Sequence, residues 1–196
     1  MTAAFQKTYT EEEYLAMEER SQEKHEYYNG KINTMPGGTL NHNLIAANIM
    51  LAIKLALRQI NKKCLVLGSD MKIHITEESL FVYPDAVVIC EQPIFYKNRK
   101  DVIVNPLLIV EVLSNSTKAY DRGVKFDHYR TLPSFQEYVL LSQDNPRASV
   151  YHRESVDTWR IINVKEGFIT LQSIGCQINL DDIYEDIIFD SNDVKE

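Results

Sequence analysis

Two acidic residues stand inside apolar runs: Asp85 in "YPDAVVIC" (83–90) and Glu111 in "LLIVEVLSNST" (107–117). A carboxylate in such a run costs free energy unless it is paired, hydrogen-bonded or bound to a cation. Asp85 follows Pro84, which cannot donate to a sheet ladder. It therefore belongs at a strand start, an edge or a bulge, from which a side chain can be aimed into a cleft. Glu111 is flanked by Val110 and Val112, which point to the opposite face of a strand, so its own face holds Ile109 and Leu113. After Leu113 the chain turns polar, with Ser114, Ser116 and Thr117, then Asp121 and Lys125. On a helix, Asp121, Lys125 and Tyr129 lie one turn apart on one face. Two carboxylates from neighbouring strands and one nearby ammonium form a set that can hold Mg2+ and activate water. Mg2+ takes hard oxygen ligands, commonly one or two carboxylates, and keeps several waters. A lysine then orients the water or meets the developing charge. The plainer reading makes each acid half of a structural ion pair, and Asp121–Lys125 an i,i+4 pair on a helix surface.

The elements that must position these residues follow from periodicity and punctuation. Thr10 with Glu13 in "TEEEYLAMEER" forms a capping box, which predicts a short acidic helix. Asn29-Gly30 in "HEYYNGKINTM" predicts a tight hairpin, with Tyr27 and Tyr28 as packing residues. "PGG" at 36–38 breaks the chain before a long helix over roughly His42 to Ile60, apolar round most of its girth and suited to packing on a sheet. "CLVLG", "MKIHIT", "LFVYPDAVVIC" and "LLIVEVL" read as strands. The alternation of Met71, Ile73 and Ile75 with Lys72, His74 and Thr76 gives the clearest period of two. "KAYDRGVKFDHYRTL" reads as a helix ended by Pro133 and weakened by Gly123. "FQEYVLLSQ", "RASVYHRE", "TWRIINVK" and "FITLQSI" add strands, and "LDDIYEDI" a short helix. No repeat or linker divides the chain. The expectation is an α/β (α+β) fold, a mixed sheet flanked by helices, as one domain over 1–196.

Composition excludes more than it selects. With 44% hydrophobic and 25% charged residues the chain builds an ordinary core. A net charge of −7 argues against bulk coating of nucleic acid but leaves room for a local basic patch. Lys97, Arg99 and Lys100 form such a cluster, either solvated or in contact with phosphate. Cys64, Cys90 and Cys176 form no CxxC pair and sit among apolar residues, as core fillers suited to a reducing cytosol. The N-terminus lacks an apolar leader core, and Asn48, Lys54 and Arg58 interrupt the longest apolar stretch, so a cytoplasmic protein without a membrane span is expected. No Walker A loop, GxGxxG or GxSxG is present.

"PD" at 84–85, followed by an acid inside an apolar strand, resembles the PD-(D/E)XK nuclease superfamily. Within it, the ordered set "HEYYNGKI", "NHNLIAANIMLAI", "YPDAVVI", "LLIVEVLSNST", "DRGVKFDHYR" and "SFQEYVLLSQ" is similar to the Uma-type restriction-endonuclease family, long catalogued as a domain of unknown function. The resemblance spans nearly the whole chain. It implies a restriction-endonuclease-like fold, with Asp85, Glu111 and the main-chain carbonyl of Val112 as ligands of Mg2+ or Mn2+. The general motif places its lysine two positions after the second acid, where this chain has Leu113. The branch takes it from the next helix, which implies Lys125 as the catalytic lysine with Asp121 and Tyr129 as neighbours. Glu26 matches an accessory acid, His42 a recurrent histidine, and Asp70 a possible outer member. A solvated Glu26 and a capping His42 are the readings without function. The implied activity is Mg2+-dependent DNA endonuclease, as a homodimer that cuts two strands with two sites. The displaced lysine leaves a catalytically inactive binding or regulatory module as the alternative, and a hydrolase of small phosphate esters as a third. The two main readings differ in whether Lys125 reaches the carboxylates or points away.

Overall fold

Thr10 opens the first helix as its sequence predicts. Its hydroxyl accepts from the Glu13 amide, and the Glu13 carboxylate accepts from the Thr10 amide, so α1 (Glu11–Glu18) begins on a complete capping box. The computed structural model describes residues 7–114 and 117–189, which leaves Ser116 outside the described residues. β1 (His25–Tyr28) and β2 (Lys31–Thr34) form the expected hairpin, with Asn29 and Gly30 both at positive φ. Tyr27 is buried, whereas Tyr28 is 40% exposed with its ring beside that of His128. α2 (Leu40–Gln59) starts two residues earlier than expected, because the Thr39 hydroxyl caps it by accepting from the His42 amide.

The strands then run β3 (Leu65–Gly68), β4 (Lys72–Ile75), β5 (Leu80–Val82), β6 (Ala86–Ile89), β7 (Val102–Ile103) and β8 (Leu108–Leu113). Two short helices follow, α3 (Lys118–Arg122) and α4 (Val124–Tyr129). After them come β9 (Glu137–Ser142), β10 (Ala148–Arg153), β11 (Trp159–Val164), β12 (Phe168–Leu171), β13 (Cys176–Asn179) and α5 (Leu180–Ile183). They form three sheets: β2-β1-β5-β4-β7, β11-β10-β9-β8-β6-β3, and the β12-β13 hairpin. The mixed α+β class expected from the sequence is what the molecule shows. β8 and β9 are parallel, and α3 and α4 supply the crossover that parallel neighbours require.

β8 separates two cores. Leu108, Val110 and Val112 pack with Ile45, Ile49, Ile53 and Leu57 of α2, whereas Ile109 and Leu113 pack with Tyr129, Phe135 and Tyr138. Each fully buried branched side chain on α2 contributes about 1.5–3 kcal/mol of transfer free energy. By length and composition α2 meets the size of a membrane span, but its isoleucine face lies in this core.

Four local expectations need correction. The apolar run 80–90 is two strands in different sheets, parted at Pro84, which has no amide to give to a ladder. β4 is buried on both faces: α1 covers His74 through Glu11 at 3.2 Å, and Lys72 pairs with Asp101 at 2.9 Å. The helix expected over 118–132 breaks at Gly123 (φ −115°, ψ −94°). Cys64 and Cys90 are not free core thiols. β3 and β6 pair antiparallel, and this brings the two residues just past the pairing into a disulfide; Cys176 alone of the three is a free buried thiol.

Candidate active site

Five separate elements deliver the side chains of one cleft of about 820 Å3. Asp85 stands between Pro84 and the start of β6, and its Oδ2 accepts from the Val112 amide at 2.7 Å. That bond ties the two acidic strands at the point where β6 and β8 stop pairing. His42, in the first turns of α2, brings its Nε2 to 3.3 Å from the same Oδ2. The hydrogen bond to Asp85 raises the imidazole above its ordinary value, against the opposing effect of burial, and the Val112 carbonyl adds to the rise. Val112 itself lines the cleft. Gly38 lies so close that a Cβ there would sit 2.7 Å from His42 Nδ1. The strap 36–39 hence needs glycine at this position to pass the ring.

Glu111 lies on the α4 face of β8, 4% exposed. Its Oε1 accepts from Tyr129 at 2.9 Å and meets Lys125 Nζ at 2.9 Å. Lys125, 5% exposed, also lies 3.4 Å from Glu26 Oε1 and 3.7 Å from Asp121 Oδ1. Glu26 arrives from β1 across the gap between the two large sheets. Its Oε1 is buried without a hydrogen bond among the described residues, with Lys125 as its charge partner. Burial pushes the Glu111 carboxyl well above the usual range, and Asp85 and Asp121 add to that, whereas Lys125 pulls it down. Burial opposes the Lys125 charge, but Glu111, Glu26 and Asp121 outweigh it and hold the ammonium charged. The physical balance is one ammonium among three carboxyl groups, with Asp85 and His42 beside them.

The donor set suits a hard cation. Among the described residues no three His, Cys, Asp or Glu side chains stand grouped to enclose an ion. Mg2+ does not need that, since two carboxylates and a carbonyl with retained waters meet its preference. The surplus of carboxyl groups over the one ammonium fits such an ion.

The sequence-derived residues divide by position. Asp85, Glu111, Asp121, Lys125 and His42 line the cleft, with Val112, and Glu26 and Tyr129 bond into it. Asp70 stays outside. Its side chain is 96% exposed and pairs with Lys24 at 2.7 Å. Lys97 and Arg99 lie against α1 instead, at 2.6 Å from Glu12 and 2.6 Å from Glu19, and Arg99 also reaches Asp101. Neither they nor Lys100 line the cleft. Tyr138 and the Thr39–Gln143 pair carried no signal beyond a strand and a cap. The Tyr138 hydroxyl donates to the Asp121 carbonyl at 3.1 Å, and the Thr39 hydroxyl donates to Gln143 Oε1 at 2.9 Å, which pins the strap to the end of β9.

The fold is that of a nuclease-like α+β protein. It superposes on the crystal structure of "a putative nuclease belonging to DUF820" from Anabaena variabilis with a TM-score of 0.73 at 16% identity, covering 92% of this chain and 99% of that one. Residues 11–181 match the family model described as "Uma2: Putative restriction endonuclease", and the chain belongs to that family. Two Synechocystis proteins, described as uncharacterized proteins slr1290 and sll1609, are 38% and 37% identical to it. They cover 91% and 81% of this chain, which spans 92% and 89% of theirs.

Proposed function

We propose that this protein is a DNA endonuclease that hydrolyses phosphodiester bonds with a divalent ion, Mg2+ or Mn2+. The observation that carries this reading is the 2.9 Å contact between Lys125 Nζ and Glu111 Oε1, with Asp85 one main-chain residue away through Val112. An inactive module would leave Lys125 turned from the acids. Lys125, 14 positions beyond Glu111 and past the break at Gly123, meets that acid, which supports giving it the role that Leu113 cannot fill.

Asp85, Glu111 and the Val112 carbonyl would hold the ion. When bound, it supplies Lewis-acid polarisation of a phosphoryl oxygen and a water of lowered pKa. Lys125 offers an ammonium to the attacking water and to charge gathering on the phosphate. Tyr129 fixes the Glu111 carboxylate, and His42 steadies Asp85 from the opposite side. On this reading the molecule works as a homodimer, one site per strand.

Plasmid cleavage in Mg2+ and in Mn2+ tests the proposal, together with calorimetric titration of Mn2+. Wild type is expected to cut. Asp85→Ala is expected to lose both cutting and ion binding, and Lys125→Ala to lose cutting while retaining binding. Metal-dependent cutting that survives in Asp85→Ala refutes the assignment.

A further inference from the structure

α2 buries one side and shows the other. Ile45, Ile49, Ile53 and Leu57 face the sheet. The far side carries Leu40, Leu44, Ala47, Leu51 and Leu55, of which Leu40 is 73% exposed, Leu51 59% and Leu55 46%. At about 100° per residue, Leu51 stands about 160° round the axis from Ile53. A leucine row opposite the core of its own domain contributes nothing to that core and marks an interaction surface.

Among the described residues, the last segment passes beside this row. Asn41 Nδ2 donates to the Ile188 carbonyl at 2.8 Å and Asn48 Nδ2 to the Glu185 carbonyl at 3.0 Å, so residues 185–188 run along the flank.

The row is self-complementary. Its leucines are spaced 4, 7 and 4 positions apart (40 to 44, 44 to 51, 51 to 55), a pattern that reads alike in both directions. An isologous two-fold contact requires a patch that matches itself. In an antiparallel pair centred between Ala47 and Asn48, Leu40 meets Leu55 of the second copy and Leu44 meets Leu51. Ala47 then lies where the helices come nearest. Charge selects this direction. A parallel pair would set Lys54 against Lys54 and Arg58 against Arg58, whereas the antiparallel pair sets them opposite the uncharged Asn41 in the partner's first turn and Gly37 just before it. We propose that this leucine row is a homodimer contact, on which a second copy of the chain lays its own α2 antiparallel. The row borders the cleft, since Ala47 and Gly37 also line it, but the inference does not depend on what the cleft does.

The test is the mass of the full chain in solution and a directed cross-link. Wild type is expected at twice the 22.7 kDa chain mass by light scattering. The double variant Leu44→Glu/Leu51→Glu is expected at the single-chain mass with unchanged circular dichroism. A mixture of Leu40→Cys and Leu55→Cys proteins is expected to cross-link between the two variants, far more than either does alone. The native cysteines offer little background, being one disulfide and one buried thiol. A monomeric wild type, a dimer that survives both glutamates, or cross-linking within each variant alone overturns the proposal. So does a monomer that sediments with phosphatidylcholine/phosphatidylglycerol vesicles, which would give the row to a membrane surface. Should the glutamate variant fail to fold, the cysteine mixture decides.

Discussion

Lys125→Met removes a buried positive charge while keeping much of its apolar stem. In the native protein this ammonium lies within 4 Å of Glu111, Glu26 and Asp121 and is 5% exposed. Removing one partner of a buried pair costs about 3–5 kcal/mol, because the remaining charge has neither water nor counter-ion. Three carboxyl groups share the lysine, so the upper part of that range is expected near neutral pH without divalent ions. For a chain of this size 1 kcal/mol corresponds to roughly 2–4 °C in Tm, so the melting point should fall by roughly 6–20 °C. The pH dependence has a definite sign. Glu111 is raised well above 4.5 by burial first, then by Asp85 and Asp121, and loss of Lys125 pushes it further the same way. A carboxyl raised in the folded state contributes stability at low pH and loses it as pH rises through its folded value. The deficit of Lys125→Met should therefore shrink at mildly acid pH. Urea denaturation of wild type and variant at neutral and mildly acid pH, in EDTA and in excess Mg2+, measures both effects. A neutral-pH loss below about 1 kcal/mol, the size of a surface ion pair, would refute the reasoning.

Glu137 is fully buried and accepts from the Gln172 amide, the Ser173 amide and the Ser173 hydroxyl at 2.9, 3.1 and 2.6 Å. Glu137→Ala leaves two part-buried amides without their acceptor and should lower stability by about 1–3 kcal/mol, with hydrogen exchange quickening first at the β12–β13 turn. Partial burial pushes Glu11 up, but bonds from Ser79, Tyr96 and His74 outweigh it and hold the carboxyl below its ordinary 4.5. Its contribution is complete above that value and fades as pH falls through the folded one, so wild type should lose Tm on acidification more steeply than Glu11→Gln. Cys90→Ala opens a bridge between residues 26 apart in sequence, and a denaturant titration should find roughly 3 kcal/mol less stability.

The parts of this molecule legible in sequence are those set by neighbours. The Thr10–Glu13 box, the Asn29-Gly30 turn, and the division of β8 into a Val110/Val112 face and an Ile109/Leu113 face all follow from spacings of four residues or fewer. Pro84 marks Asp85 as standing at a strand start, an edge or a bulge, and only the division of β5 from β6 selects the first. What escaped was decided across long separations. Lys97 is taken by Glu12, 85 residues away, and Arg99 by Glu19, 80 away, so a cluster that looked basic is neutralised by α1. Cys64 and Cys90 meet because two strands pair, which no cysteine spacing announces. Lys72 and His74 alternate as solvent-facing residues should, but Asp101 takes the first and α1 covers the second. In the cleft, the acids on β6 and β8 were visible as anomalies in apolar runs, and Lys125 through helical spacing. Tyr138 looked like any aromatic in a strand.

The Asn29-Gly30 turn does more than reverse the chain. Side chains alternate along β1, so Glu26 faces the cleft because Tyr27 faces the core, and Tyr27 is pinned opposite Ile32 by a two-residue loop. β5 fixes the other side of the strand and holds Tyr27 opposite Phe81. A one-residue slip of β1 against these neighbours would exchange the two, sending a tyrosine to Lys125 and a carboxylate into the core. The charge set of the cleft is measured out by backbone pairings that touch none of it.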